Sequence, residues 1–179
     1  MNMDKALTLI ADNIGRIDDY PKPGIIFRDI TPLLAHAEAF AACIDVLAQR
    51  YREQGITQVC GIEARGFIFA SALAYRIGAG FVPLRKPGKL PRQTYSRQYA
   101  LEYGDDELQV HRDALTTADK VVVIDDLLAT GGTALAAAQL VQDCGAQLQE
   151  LAFIITLNDL PGVSKLAQAG LPSYTLCRF

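Results

Sequence analysis

Apolar residues along the chain follow two spacings, one typical of amphipathic helices and one typical of buried strands. Helical spacing runs through "EAFAACIDVLAQRYREQG" and "GFIFASALAYRIG", and an alanine-rich helix is predicted over residues 133–144. Short apolar runs make up "TQVCGIE", "GFVPLRK", "KVVVIDD" and "ELAFIITLN". Because "VVVI" and "AFII" are unbroken, these runs predict strands covered on both faces, as in parallel sheets. A last helix and strand are predicted after them.

Strands that alternate with helices predict an α/β fold with a mostly parallel central sheet flanked by helices. Before that core, "ALTLIADNIGRI" predicts a helix, which the prolines and glycine of "DDYPKPG" end. "PGIIFRDITPLL" is interpreted as a loop between two helices, and "YALEYG" with "ELQVHRDAL" as a pair of strands. No repeat or linker divides the chain. We therefore expect a single domain over residues 1–179, with a small N-terminal part to about residue 34 and a core from about residue 35.

Composition narrows the class of protein. Of 179 residues, 50% are hydrophobic and 21% charged, which is typical of a folded domain. The net charge of −3 gives no overall attraction to nucleic acid, so no nucleic-acid partner is expected. No secretory signal is recognisable, and no apolar stretch reaches the roughly 18 residues of a membrane span, so no membrane partner is expected. The four cysteines are widely separated and predict buried free thiols in a reducing cytoplasm.

Polar or glycine-rich segments follow three of the predicted strands. These segments are found in "CGIEARG", "VPLRKPGK" and "VVIDDLLATGG". In open parallel sheets the ligand crevice lies beyond the carboxyl ends of the strands. The three segments are therefore expected to meet at one site.

The third segment joins two acids to a glycine turn. Asp125 and Asp126 follow four buried positions, so we expect them at the carboxyl end of the strand, facing the crevice. Gly131 and Gly132 allow positive φ and close approach of a ligand to the backbone. Successive N–H groups in such a turn, at the start of a helix, form an anion site. The neighbouring Thr130 and Thr133 supply hydroxyls, and either could cap the helix.

A sugar phosphate satisfies both halves of this segment. A phosphate touching the carboxylates would be repelled, so it belongs on the glycine side, and the acids are left for vicinal hydroxyls. The segment lacks the lysine of a Walker A loop and the G-x-G-x-x-G spacing of a dinucleotide fingerprint. The remaining alternative is an ordinary strand–turn–helix junction with surface acids.

Five segments together resemble one known family. "VVVIDDLLATGGT" resembles the phosphoribosyl pyrophosphate (PRPP) motif of the type I phosphoribosyltransferases. With "PKPGIIFRDITPLL", "GIEARGF", "LRKPGKLP" and "YALEYG", in that order from about residue 20 to 158, it is similar to the adenine phosphoribosyltransferases. The resemblance implies the type I fold with a small N-terminal hood. It also implies transfer of the 5-phosphoribosyl group from PRPP to adenine in purine salvage, with magnesium, in a homodimer.

The resemblance also implies roles for the residues that match its motifs. The 5-phosphate and ribose of PRPP would contact Asp125, Asp126, Ala129, Thr130, Gly131, Gly132 and Thr133. Pyrophosphate would contact Glu63, Ala64, Arg65, Arg85, Lys86 and Lys89, with a cis peptide falling at Glu63–Ala64 if this chain has one. Adenine would contact the hood residues Ile26, Phe27 and Arg28, and also Leu127. The catalytic residues would be Glu102 as general acid–base, Asp125 and Asp126. Magnesium would have no dedicated set of protein ligands and would be held mainly by PRPP.

For several of these residues the sequence leaves a second interpretation open. Arg65 could be a solvated arginine in a helix-capping turn, and Glu102 a salt-bridged strand residue. The basic segment "RKPGKLPRQTYSRQ" could be a solvated surface loop, although a mobile lid over an anionic substrate fits its prolines and glycine. A phosphoribosyltransferase acting on another base, or a non-catalytic regulator of the same fold, remains possible as a function.

Overall fold

The computed structural model describes residues 2–100 and 104–179. Its first half contains α1 (Met3–Asp12), β1 (Gly15–Asp18), β2 (Ile26–Asp29), α2 (Thr31–Ala35), α3 (Ala37–Tyr51), β3 (Gln58–Ile62), α4 (Gly66–Ile77) and β4 (Gly80–Leu84). Its second half contains β5 (Thr94–Ala100), β6 (Asp105–His111), β7 (Lys120–Leu128), α5 (Gly132–Asp143), β8 (Gln147–Thr156), α6 (Gly162–Gln168) and β9 (Ser173–Arg178).

Within the described residues, five strands form one parallel sheet in the order β4-β3-β7-β8-β9. The middle strand β7 is buried on both faces from Val121 to Ile124, which explains its unbroken apolar sequence. One face packs on α1, α3 and α4 through residues such as Leu47 and Phe69. The other face packs on α5 and β6 through residues such as Leu108 and Leu140. The predicted α/β fold is confirmed.

The N-terminal segment differs from its prediction. The first helix ends at Asp12, and the expected loop between two helices is an antiparallel hairpin of β1 and β2, with Ile17 opposite Phe27. The turn is held by Asp19, whose Oδ1 accepts a hydrogen bond of 2.7 Å from the N–H of Gly24. Gly24 has φ of +85°, a value that glycine adopts without steric cost. This turn lets the chain reverse despite its prolines. The boundary at about residue 34 stays a prediction.

The basic segment also differs from its prediction. Only its first part is a loop, because Thr94–Ala100 forms β5 and pairs in antiparallel register with β6. The hairpin is anchored by Tyr99, Leu108 and Val110, which are buried against α5. The second half of the segment is therefore a seven-residue strand and not a loop, and its role as a lid stays a prediction. Part of the predicted strand "YALEYG", residues 101–103, lies outside the described residues.

Three of the four cysteines are buried, as composition predicted. Cys43, Cys60 and Cys177 are buried and Cys144 is half-buried, and all four are free. Burial raises the pKa of the Cys43 thiol to about 12, so the unreactive neutral form is favoured. Over residues 2–100 and 104–179, each helix is too short or too polar to cross a membrane.

A buried carboxylate ties α3 to the start of β8, at the end of the sheet away from Asp125. Glu150 is 8% exposed; it accepts hydrogen bonds of 2.6 and 2.7 Å from Arg50 and of 2.7 Å from the Tyr51 hydroxyl. The carboxylate thereby accepts from three donor groups on two residues, of which the buried Tyr51 hydroxyl would otherwise be shielded from water.

Glu150→Gln should lower the free energy of unfolding by about 2 kcal/mol, because a neutral amide cannot accept all three hydrogen bonds. Urea unfolding measures this loss, and steady-state KM values should not change. The matched control is Asp45→Asn, which breaks the exposed pair with Arg76 and should cost less than about 1 kcal/mol. Equal losses in both variants would contradict the assigned role of the buried cluster.

Candidate active site

The polar segments predicted to meet do meet at the carboxyl ends of β3, β4 and β7. Two adjoining cavities are lined there by described residues. A cavity of about 230 Å³ is lined by the segment after Ile124, including Thr130 and Gly131. A cavity of about 350 Å³ is lined by the loop after β3, Lys86 and Tyr99. The two share Arg65, Asp125, Asp126 and Thr133, so one ligand can extend across both.

The two aspartates lie in the carboxyl-terminal half of β7, and the strand continues past them to Leu128. Asp125 opens to the cavities on one side only. Its Oδ1 accepts a hydrogen bond of 2.8 Å from the N–H of Asp126, and a Cβ on Gly66 would lie 3.0 Å from the same oxygen. Burial and the neighbouring charge of Asp126 raise the pKa of Asp125 well above its ordinary value. Negative charge on Asp125 is therefore less favourable in the ligand-free site than it would be in water.

Asp126 forms an ion pair that the sequence did not indicate. Its carboxylate is almost fully buried, and Oδ2 lies 2.8 Å from Nε of Arg65. The Arg65 side chain is half exposed and lines both cavities. Arg65 occupies the N-cap position of α4, but its half-exposed side chain makes no capping hydrogen bond and pairs with Asp126 instead. Its guanidinium can contact an anion in the cavities while Nε pairs with Asp126.

The glycine turn after β7 has the geometry of an anion site. Gly131 has φ of +85°, and a Cβ there would lie 3.2 Å from Cα of Gly162. Gly132 allows close packing instead, because its Cβ would lie 2.9 Å from the carbonyl oxygen of Ala100. Helix α5 begins at Gly132, and no described side chain caps it, so neither Thr130 nor Thr133 acts as the cap. The first N–H groups of α5 are left for a ligand in the cavity that this turn lines.

The loop after β3 and the end of β4 are tied together by Glu63. Its carboxylate accepts hydrogen bonds of 3.2 and 3.3 Å from Arg85 and of 2.8 Å from the N–H of Lys86. Although burial opposes ionisation, these donors hold the pKa of Glu63 below its ordinary value. A carboxylate engaged in this way repels pyrophosphate. Only the backbone of Glu63 and Ala64, whose shared peptide bond is cis, can therefore face an anion.

The basic cluster is divided between the cavity and the surface. Lys86 lines the larger cavity. Arg92 pairs with Asp113 at 3.0 Å and Arg97 pairs with Asp143, both on exposed surface. Lys89 is exposed, and its carbonyl oxygen accepts a hydrogen bond of 3.4 Å from Arg85. Four of the five cations thus have a carboxylate partner in the ligand-free chain, which the run of positive charge did not predict.

The residues expected around adenine are placed on two elements. Leu127 of β7 lines the smaller cavity beside the aspartates. The rings of Phe27 and Tyr20 contact edge to face with centroids 5.2 Å apart, while the guanidinium of Arg28 stacks 4.1 Å over the ring of Phe179. Alternation along β2 places Phe27 on the face opposite to Ile26 and Arg28. Within the described residues, neither cavity is lined by these hood side chains.

Glu102 lies outside the described residues, between Ala100 at the end of β5 and Asp105 at the start of β6. Two further cavity residues were assigned no role from the sequence: Tyr99, the first residue of "YALEYG", and Asp106, which lies in no motif. Alternation along β5 and β6 could have predicted that they share a face, but not that the face lines a site.

Comparisons with known proteins support the site. The chain matches the phosphoribosyl transferase domain family over residues 29–168. It is 59% identical to the adenine phosphoribosyltransferase of Idiomarina loihiensis, over 99% of this chain and all of that protein. The chain belongs to the adenine phosphoribosyltransferase family.

Solved structures of adenine phosphoribosyltransferases agree over nearly the whole chain. The enzyme of Thermoanaerobacter pseudethanolicus superposes with a TM-score of 0.91 at 46% identity, covering 97% of this chain and 99% of that one. The enzyme of Saccharomyces cerevisiae, solved with adenine and an imino-altritol bisphosphate, gives 0.91 at 35% identity and the same coverage. The type I phosphoribosyltransferase fold implied by the sequence motifs is thereby confirmed.

Proposed function

We propose that this member of the adenine phosphoribosyltransferase family transfers the 5-phosphoribosyl group from PRPP to adenine, forming AMP and pyrophosphate in purine salvage. The observation that carries the proposal is the combination of Asp125 and Asp126 with the uncapped start of α5 in one cavity. Such a site offers acceptors for vicinal hydroxyls and donors for a phosphate. The adenine bound to the yeast relative supports the choice of base.

PRPP binding follows from the charge distribution of the two cavities. The 5-phosphate would lie on the N–H groups of residues 129–133, with the hydroxyls of Thr130 and Thr133 as further donors. The ribose hydroxyls would lie on the carboxylates of Asp125 and Asp126. The pyrophosphate would then extend into the larger cavity, where Arg65 and Lys86 can neutralise it.

Opposite charges develop on the leaving pyrophosphate and on the ribose during the transfer step, and the site stabilises both. As the bond to pyrophosphate lengthens, negative charge grows on the leaving group beside Arg65, while positive charge grows on the ribose. The carboxylates beneath the ribose favour that positive charge. We assign Glu102 as the general acid–base that exchanges a proton with the purine ring, because it matches the family motif.

Magnesium, in this proposal, enters with PRPP and lowers the charge of the leaving pyrophosphate when bound. The hard carboxylate oxygens of Asp125 and Asp126 fit its ligand preference. They are only two groups, and Asp126 already pairs with Arg65. Residues 2–100 and 104–179 contain no cluster of three or more candidate metal ligands. We therefore assign the metal mainly to oxygens of the substrate.

Phe27→Ala should raise the KM for adenine by about ten-fold and leave the KM for PRPP within about two-fold, because a nucleobase loses its stacking face. Steady-state kinetics with each substrate varied in turn measures both constants. A similar rise in both values would contradict the hood assignment and indicate a general disturbance of the hairpin.

We also propose a homodimer, in a reducing cytoplasm that keeps the cysteines free. The exposed face of α4 supports the dimer, because it carries Ile68 and, two turns later, Tyr75, which is 90% exposed. Phe81 on the neighbouring edge strand β4 is also exposed. Large apolar side chains grouped in this way are typical of an interface between subunits.

The proposed activity is tested by incubating the chain with PRPP, magnesium and each nucleobase in turn and measuring pyrophosphate release. Release with adenine, together with AMP formation, is the expected result. Release with another base alone would indicate a different phosphoribosyltransferase. Silence with every base, combined with measurable binding of PRPP, would indicate a non-catalytic regulator instead.

A further inference from the structure

The side chain of Lys86 is held by two residues of the neighbouring hairpin. Its Nζ donates a hydrogen bond of 2.7 Å to the hydroxyl of Tyr99 and forms an ion pair with Asp106. All three residues line the larger cavity, together with Arg65 and the two aspartates of β7. The contact therefore lies within the candidate active site and not on the outer surface.

The fold brings these three residues together from separate strands. Tyr99 of β5 and Asp106 of β6 are directly opposite in the antiparallel register, so their side chains share one face of the hairpin. Lys86 follows β4, and reciprocal backbone hydrogen bonds of 2.9 and 2.8 Å between Arg85 and Gln109 join that strand end to the hairpin. The end of β4, which carries Lys86, and the hairpin, which carries its two partners, are thus joined by backbone hydrogen bonds.

The carboxylate of Asp106 is itself oriented. Its Oδ1 accepts a hydrogen bond of 2.8 Å from the N–H of Glu107, while Oδ2 faces Lys86. The ring of Tyr99 is 8% exposed and lies beside Gly132, at the start of α5. Neither partner of Lys86 can therefore rotate freely.

The ammonium of Lys86 stays charged despite its partial burial. Burial lowers the pKa of Lys86, but the acceptors on Asp106 and Tyr99 outweigh it and raise that pKa above its ordinary value. The same contact holds the pKa of Asp106 below its ordinary value against the effect of burial. An ammonium has three donors, and two are used here, so one remains for a ligand in the cavity.

We propose that Tyr99 and Asp106 are positioning residues for PRPP and pyrophosphate, which act by holding the ammonium of Lys86 at the cavity wall beside the leaving group. The inference rests on the proposed function, because it assigns pyrophosphate to this cavity. Without its two partners, a lysine with four rotatable bonds would lose side-chain entropy on each binding event. Pre-ordering removes that cost from substrate binding.

The experiment compares Asp106→Asn with Asp105→Asn, the same change at the adjacent, exposed residue of β6. Asp106→Asn should raise the KM for PRPP and the Kd for pyrophosphate, measured by calorimetry with magnesium, by about five- to ten-fold. The KM for adenine should stay within about two-fold, and Asp105→Asn should match the wild type. An unchanged or lower PRPP KM in Asp106→Asn, or an equal rise for adenine, would overturn the proposal.

A double-mutant cycle with Lys86→Met separates positioning from a purely structural tie. If Asp106 acts through Lys86, Asp106→Asn adds nothing to the loss of PRPP affinity already caused by Lys86→Met. Fully additive losses would overturn the proposal. Tyr99→Phe, which removes one oxygen atom, repeats the test if Asp106→Asn does not fold. Wild-type protein in the same assay separates the two claims. Inactivity of the wild type with adenine and PRPP would contradict the proposed function. Normal wild-type turnover, together with an Asp106→Asn variant whose PRPP KM is unchanged, would contradict only this inference.

Discussion

Asp126→Asn should lower kcat/KM for PRPP by about 100-fold or more while the chain stays folded. The substitution keeps the shape of the side chain and removes its charge. The carboxylate is almost fully buried and lies 2.8 Å from Arg65, so its field acts with little screening by water. Its loss removes both an acceptor for the ribose and the negative charge that favours positive charge on the sugar.

The matched control is Asp45→Asn, because Asp45 also pairs with an arginine, Arg76, at 2.9 Å, but on exposed surface away from the cavities. Steady-state kinetics and thermal unfolding of both variants make the comparison. Asp45→Asn should keep wild-type kinetics. Turnover within a few-fold of wild type in Asp126→Asn would refute the sugar-phosphate assignment of this segment.

Gly131→Val should weaken PRPP binding by about 100-fold or more, with the sheet intact. The residue has φ of +85°, which a β-branched residue adopts only with strain. Its Cβ would also meet Gly162 at 3.2 Å, so the turn must shift by several tenths of an ångström. A shift of that kind moves the N–H groups to which we assign the 5-phosphate.

Gly170→Val is the control for this variant. Gly170 has φ of +69°, but a Cβ there meets nothing within 4 Å, and the residue lies between α6 and β9, outside both cavities. Gly170→Val therefore has backbone strain like that of Gly131→Val, but it leaves the site undisturbed. Calorimetric titration with PRPP and magnesium measures both variants. Equal affinities for PRPP would show that the shape of the Gly131 turn does not matter for the ligand.

The sequence predicted most of the sheet and helices because their apolar spacing is periodic and local. The strand "KVVVIDD" and the helices over residues 37–51 and 66–77 needed no information beyond their own residues. The N-terminal hairpin, and the start of β5 in the second hairpin, were misjudged for a common reason. Proline, glycine and charge dominate residues 15–29 and 85–98, whereas their pairing depends on a partner strand elsewhere in the chain.

The candidate site also has features that the sequence predicts and features that it does not. The acid pair and the glycine turn are adjacent along the chain, so their joint chemistry could be inferred from "DDLLATGGT" alone. The pairing of Arg65 with Asp126 could not, because these residues are 61 positions apart and meet only through the parallel register of β3 and β7. The partners of Lys86 were missed for the same reason: Tyr99 and Asp106 are 13 and 20 positions away along the chain and meet Lys86 only through the pairing of β5 with β6.

By itself, therefore, the sequence determined the class of fold and the family, and it predicted the position of the proposed sugar-phosphate segment. Each depends on spacing or on motifs that neighbouring residues complete. Only the tertiary structure decided which charges are paired before substrate arrives. Arg65, Arg85 and Lys86 all have carboxylate partners inside or beside the cavities. That pairing depends on distances across strands, and the energy of a charge depends on its burial and its neighbours, which the linear order of residues does not contain.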